Sequence, residues 1–308
     1  MSGFRRSDGS VGCRNHVLVL PSVVCSGLVA QRIAGGVATA LVHQHGCDHV
    51  GDDATQTGRV LAGLATNPNV AAALVVGLGC ETLQGRALVE VAEALGRRVE
   101  FIEIQERGGS ANAIEFGQGL VEGMVADVTR TKEPAQIAEF TLGIAVDDWS
   151  AWTGPLETLA QRASSAGARL VAALPGTLGP TAGIWREALR TRYGERPSAP
   201  MSITLQGGRG AEQHTGLAAS GAQVVISLRP PLGAPIGFPL CPVVAVAGDA
   251  RTYSALSVDF DIDGSSHGPD ALGDMLWSMA QEVFNGELTA SERRGAREFA
   301  LQRISRST

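Results

Sequence analysis

Short apolar runs rich in β-branched residues recur along this chain, each followed by a stretch whose apolar residues return every three or four positions. In the first part this alternation repeats about every thirty residues, the length of a strand–helix–strand unit. Residues 16–20, 38–42, 72–76 and 99–104 read as strands, and residues 55–66, 83–95 and 110–125 as helices. Strands joined through helices lie parallel, with right-handed crossovers. A polar segment at 130–138, carrying Lys132, Glu133 and Pro134, reads as a linker. A second series follows, with strands at 141–146, 169–174, 201–205, 223–228 and 242–247 and helices at 156–166, 185–193, 210–220 and 271–284. Thr289-Ala290-Ser291-Glu292 has the pattern of a capping box for a last helix ending near Ile304. The fold class that follows is α/β: two tandem Rossmann-like units with mostly parallel sheets, residues 1–130 and 139–308.

Such a sheet binds ligands beyond the carboxyl ends of its strands. The most informative strand end is Leu74-Val75-Val76-Gly77-Leu78-Gly79-Cys80-Glu81. Here a buried strand runs into a glycine turn and ends on a thiol beside a carboxylate. Cys25, the pair His43 and Cys47, the pair Cys80 and Glu81, and Gln105 all follow strand ends and would line one rim. Thiolate, imidazole and carboxylate are ligand types for zinc, iron and similar ions. Each residue taken singly also reads as a packed core or loop side chain, since cysteine is among the most buried residue types.

The remaining polar features carry less. His45 and His49 read as solvated, and Asp52 and Asp53 as helix-capping residues. Arg14 reads equally as a bidentate clamp for a substrate carboxylate and as a surface partner of Asp8. Residues 259–264 alternate acid and apolar residues, as a strand on a solvated edge would. Gln206-Gly207-Gly208-Arg209-Gly210 reads as a plain turn before a helix, with an anion cradle as the alternative. His214 and His267 are isolated histidines.

Composition excludes several classes. The net charge is −6 and no basic block is interleaved with aromatics, which argues against nucleic acid as a partner. No apolar run is long enough to span a bilayer, and Arg5 and Arg6 are not followed by a signal-type apolar segment, so a cytoplasmic protein is expected. The 5 cysteines are dispersed and include no CxxC pair, which is not a disulfide framework.

The order of motifs resembles the altronate/galactarate dehydratase family, which includes the large subunit of sulfolactate sulfo-lyase. The resemblance rests on Arg5-Arg6-Ser7-Asp8-Gly9 through Gly12-Cys13-Arg14-Asn15, Leu20-Pro21-Ser22-Val23-Val24-Cys25, His43 with Gly46-Cys47, Asn67-Pro68-Asn69-Val70, and Gly77-Leu78-Gly79-Cys80-Glu81. Near the end, residues 216–222, 259–264 and 285–287, with Glu292, also match. It implies a metal-dependent hydro-lyase acting on a small hydroxylated or sugar acid. It further implies a divalent metal of the Fe2+ type, with Cys25, Cys47 and Cys80 as ligands. His43 and Glu81 would serve as acid–base groups, and Arg14, Asn15 and Gln105 would bind substrate. Two family motifs are altered: Val146-Asp147-Asp148-Trp149-Ser150 stands where the family has Cys-Gly-Gly-Ser-Asp, and Leu228-Arg229-Pro230-Pro231 replaces a Thr-Gly-Arg-Gly loop. A glycine-rich segment is also missing. A non-catalytic binding protein or partner subunit derived from such a lyase, or a homo-oligomer, is the alternative expectation.

Overall fold

The computed structural model describes residues 1–47, 50–128 and 130–304. His49 lies outside them.

Two parallel sheets form the frame. The first has four strands in the order Thr39–Ala40, His16–Pro21, Val70–Gly77, Val99–Glu103. Its central strands are buried on both faces, between helices Gly27–Ala34 and Ser110–Asp127 on one side and Gly51–Ala65 and Gly85–Ala94 on the other. That double cover is why Leu18, Val19, Leu20, Leu74, Val75 and Val76 form uninterrupted apolar runs. The expected second strand shrinks to Thr39–Ala40, because this edge strand pairs only with Leu18 and Val19.

The second sheet has seven strands in the order Leu189–Thr191, Met201–Thr204, Arg169–Ala173, Thr141–Val146, Val224–Leu228, Val243–Ala247, Ile262–Asp263, all parallel. The helix expected at 185–193 is absent. Instead a short 3-10 turn, Ile184–Glu187, precedes the edge strand Leu189–Thr191. Trp185 is fully buried and donates its Nε1–H to Leu156 O, 3.1 Å away, which pins the turn. Pairing with Met201–Thr204 then settles the following residues as strand. The last helix is also shorter than expected. Its capping box forms, but Ala290–Arg294 ends at Gly295, which takes a left-handed φ of 69°.

Sequence order and space part company at both ends. Ser2–Arg5, Val11–Gly12 and Glu133–Pro134 make a small antiparallel sheet, so the linker is partly structured. Val11 and Cys13 bury in the core of the seven-stranded unit. Residues 299–304 run back across the four-stranded unit, where Leu301 is buried. Two features lock the units together. Gly63 lets helix Gly51–Ala65 approach helix Ala211–Ala219 so closely that an added Cβ would lie 2.4 Å from Ala219 O. The Asn67-Pro68-Asn69 turn is buried. Asn67 Nδ2 donates to Ala218 O and Ala222 O, at 2.7 and 2.9 Å, and Asn69 Nδ2 to Gln223 O and Leu240 O, at 2.8 and 3.0 Å.

Residues 259–264 are not the solvated strand their alternation suggests. Asp261 is buried and accepts from Ala245 N–H and Ala290 N–H, at 2.8 and 2.7 Å, tying the last helix to the sheet. Asp52 and Asp53 lie in the first turn of helix Gly51–Ala65 without capping it by a side-chain bond. Among the described residues no helix is long and apolar enough to cross a membrane.

Candidate functional site

The carboxyl ends of the four-stranded sheet gather most of the residues singled out in the sequence. After Pro21 the chain turns through Ser22 to Cys25. After Ala40 it passes His43, His45 and Cys47, and after Gly77 it reaches Cys80 and Glu81. Cys25, Cys47 and Cys80 are all exposed, whereas Cys13 and Cys241 are buried. The three exposed thiols are neighbours. Desolvation first, then the Cys80 and Cys25 thiols, push the Cys47 thiol above its usual range.

Glu81 is buried behind them. Its carboxylate accepts from Ser22 Oγ at 2.8 Å, from Leu78 N–H at 3.1 Å and from Gly79 N–H at 2.6 Å. Burial alone would raise this carboxyl. The Gly79, Ser22 and Leu78 donors outweigh it and hold the group below the ordinary carboxylate range, so it is anionic at neutral pH. Gly79 has φ +119°, and a Cβ there would meet Gln105 Oε1 at 2.7 Å, so the turn needs glycine both for its backbone and to seat Gln105.

His43 is buried with both ring nitrogens against the backbone. Nε2 stands 2.9 Å from Pro21 O, and Nδ1 accepts the His45 N–H at 3.2 Å. These bonds select the neutral tautomer protonated at Nε2. His45 is also buried, not solvated, with Nδ1 2.9 Å from Thr57 Oγ1. It lines a crevice of about 10 Å³ shared with Ser22, Thr57 and Glu81. On its other side it lines, with His43, Glu212, Leu301 and Arg303, a cavity of about 460 Å³ between the two units. His45, Glu212 and Arg303 were not read as site residues. Glu212 and Arg303 lie far from the rim in sequence, and no local pattern marks them.

Arg14 and Asn15 are elsewhere. They precede the amino end of strand His16–Pro21, at the opposite edge of the sheet from the thiols. Arg14 does not pair with Asp8. It binds Glu292 in fork fashion at 2.7 and 2.8 Å and donates to Val283 O and Glu287 O, a structural role. Asp8 instead faces Arg97 at 3.3 Å. Asn15 accepts from Arg6 Nη1 at 2.6 Å.

The donors suit a thiophilic divalent metal by type. Yet among the described residues no group of three or more His, Cys, Asp or Glu side chains is arranged to hold a metal ion. The thiols form an open cluster, not a closed coordination site.

At the carboxyl ends of the seven-stranded sheet, Asp147 and Arg229 make an ion pair at 3.3 Å, each side chain 11% exposed. Asp148 caps helix Trp149–Ala166 by accepting from Ser150 N–H at 3.0 Å. The glycine turn before helix Ala211–Ala219 is self-capped, since Glu212 accepts from Arg209 N–H at 3.1 Å.

Comparison with known proteins finds one family in both parts of the chain. The family model described as the second domain of D-galactarate dehydratase/altronate hydrolase matches residues 3–129. The model described as the D-galactarate/altronate dehydratase C-terminal region matches residues 189–307. An altronate dehydratase of Bacillus subtilis (strain 168) is 34% identical over 116 residues, 33% of this chain and 23% of that protein. An altronate dehydratase of Escherichia coli (strain K12) is 32% identical over 155 residues, 46% of this chain and 31% of that protein. The match thus covers less than a third of either enzyme. The (2R)-sulfolactate sulfo-lyase subunit beta of Chromohalobacter salexigens is 27% identical over 385 residues, 99% of this chain and 97% of that protein. That alignment is longer than this chain, so the relative carries segments absent here.

Proposed function

The chain belongs to the D-galactarate/altronate dehydratase family, and on that premise we propose that it is a hydro-lyase removing water from a small hydroxylated acid. One observation carries the reading: beside a cluster of three exposed thiols, the anionic Glu81 shares a crevice with His45, which also lines a cavity of about 460 Å³. Elimination needs a base for the proton next to the substrate carboxylate and a proton for the departing hydroxide. Glu81, which the Gly79, Ser22 and Leu78 donors keep unprotonated, is the proposed base. His43 is occupied by the backbone on both nitrogens and positions the loop. His45 lines both the Glu81 crevice and the larger cavity and suits the second role. Gln105 would orient the substrate. Cys25, Cys47 and Cys80 are the proposed donors to a divalent metal, Fe2+ by chemistry. Such an ion, when bound, would polarise the leaving hydroxyl. Closing the thiol cluster around it requires side-chain rearrangement.

A second reading is that the chain is a partner subunit. It is favoured by the region between the two family matches, 130–188, and by the Asp147–Arg229 pair that occupies the second rim.

Elemental analysis of protein purified without oxygen, with Cys80→Ala alongside, separates the two. The lyase reading expects near-stoichiometric divalent metal, lost in the variant, and turnover of hydroxy acids. Metal-free protein that takes up none on reconstitution would favour the partner-subunit reading.

A further inference from the structure

A second cavity, of about 650 Å³, opens between the units; it shares Glu212 and Arg303 with the first cavity and is lined by no thiol. Helix Gly51–Ala65 contributes Gln56 and Arg59, the turn after strand Leu189–Thr191 contributes Arg192, and the turn before helix Ala211–Ala219 contributes Arg209. Glu212 and Arg303 complete the polar wall. Four arginines therefore face one space in a chain whose net charge is −6.

Their carboxylate partners are few. Glu212 is the single carboxylate on the wall, and its Oε2 is already engaged by Arg209 N–H. Arg192 has Glu195 at 3.1 Å, and Arg209 stands 3.9 Å from Asp147. Arg59 gives only its Nε, to Tyr193 O at 3.1 Å, and its guanidinium is lowered by burial and by the nearby Arg192 charge. Arg303 makes no ion pair among the described residues. Arg192 and Arg209 are solvated and have carboxylates nearby, so the donors left for an anion are chiefly those of Arg59 and Arg303, which make no ion pair among the described residues.

The terminal segment forms one wall. Gln302 Nε2 donates to Gln206 O at 2.6 Å, Gln56 Nε2 donates to Gln302 O at 3.0 Å, and Ile304 N–H donates to Asp53 Oδ1 at 2.7 Å. Arg303 sits within this strap, across the cavity from Arg59.

We propose that this cavity binds a small anion with two or more negative oxygens, a polycarboxylate or a phosphate. Guanidinium forks from Arg59 and Arg303 grip it, with Arg192 and Arg209 adding charge. Because Arg59 lies on the first unit and Arg303 on the strap, the bound anion fastens the strap across the interface. Arg303 and Glu212 also line the cavity of about 460 Å³ of the lyase reading, whereas Arg59, Arg192 and Arg209 line this one alone.

Isothermal titration of the full chain tests it, with inorganic pyrophosphate and with tricarballylate at constant ionic strength in EDTA-treated buffer. Saturable binding of one equivalent of either anion is expected, together with a rise in Tm. The anion that binds identifies the phosphate or the carboxylate class. The double variant Arg59→Gln/Arg303→Gln should weaken binding at least tenfold, and Arg303→Gln alone, at an exposed position, by a smaller factor without lowering the ligand-free Tm. Cys80→Ala should bind the anion as the wild type does. The proposal is overturned by the absence of saturable binding, by unchanged affinity in the double variant, or by equal weakening in Cys80→Ala.

Discussion

Cys25, Cys47, Cys80 and Glu81 stand at the carboxyl ends of the four-stranded sheet, and Asp147 and Arg229 at the carboxyl ends of the seven-stranded one. The two rims handle their strand ends differently. In the first, Ser22 N–H and Ser26 Oγ take Val76 O at 3.0 and 2.8 Å, and Ile104 N–H takes Gly77 O at 3.0 Å. The side chains beyond them are left facing outward, as three exposed thiols. In the second, backbone amides such as Leu174 N–H, which donates to Thr204 O at 3.0 Å, are joined by a buried side chain. Gln213 Nε2 donates to Val146 O and Ala173 O, at 3.0 and 2.9 Å, and Asp147 Oδ2 pairs with Arg229, while Asp147 Oδ1, Arg229 Nε, Gln213 Oε1 and His214 Nδ1 are buried without a hydrogen-bond partner among the described residues. The first rim turns its thiols toward solvent, whereas the second holds its polar side chains buried, where an unmatched group is costly.

The sharpest way to break this comparison is to neutralise one carboxylate on each rim. Glu81→Gln should lower turnover by about a hundredfold or more, the usual scale for losing a general base. Asp147→Asn should instead leave turnover near wild type and cost about 3 kcal/mol in urea unfolding, because Arg229 stays buried without its partner. Reversed results would move the chemistry to the second rim.

A pH titration of stability sharpens the same contrast. His214 lies beneath the second rim, fully buried, with its pKa lowered to about 3 by burial and then by Arg229. The folded protein therefore keeps it neutral while the unfolded chain protonates near 6.5. Stability from this group is complete above pH 6.5 and is lost as pH falls from there toward 3. The loss should reach a few kcal/mol by thermal or urea unfolding, at about 1.4 kcal/mol per unit of difference. His214→Gln should flatten that slope. Glu81 contributes the same sign in a lower window, below its unfolded value of 4.5.

The smallest expected effect is at Asp148. It caps helix Trp149–Ala166 and faces no substrate cavity among those described here, so Asp148→Ala should cost about 1 kcal/mol of stability and leave turnover unchanged. Loss of turnover in that variant would show that the second rim takes part in catalysis after all.

Much of the frame was legible in the chain itself. The strand at Thr141–Val146 stands where the apolar run predicts it, and the thiols follow strand ends because a parallel α/β order leaves them no other place. The Thr289–Glu292 capping box is likewise local chemistry. Errors arose where partners came from far away. Arg14 could not be assigned from sequence because Glu292 is distant in the chain. Asp261 looked solvated because the two backbone amides it satisfies belong to other elements.

Periodicity and strand-end residues thus determined the α/β class, the parallel sheets and the gathering of Cys25, Cys47, Cys80 and Glu81. Both signals are local, since they depend on which face or end of an element a residue occupies. Tertiary structure alone decided that His45 is buried beside Glu81, that Arg14 is structural, and that Arg59 and Arg303 share a cavity. Those outcomes depend on helix Gly51–Ala65 meeting helix Ala211–Ala219 at Gly63 and on the terminal segment crossing back over both units. No short-range pattern encodes such a contact, because its energy comes from surfaces that meet only once both units have folded.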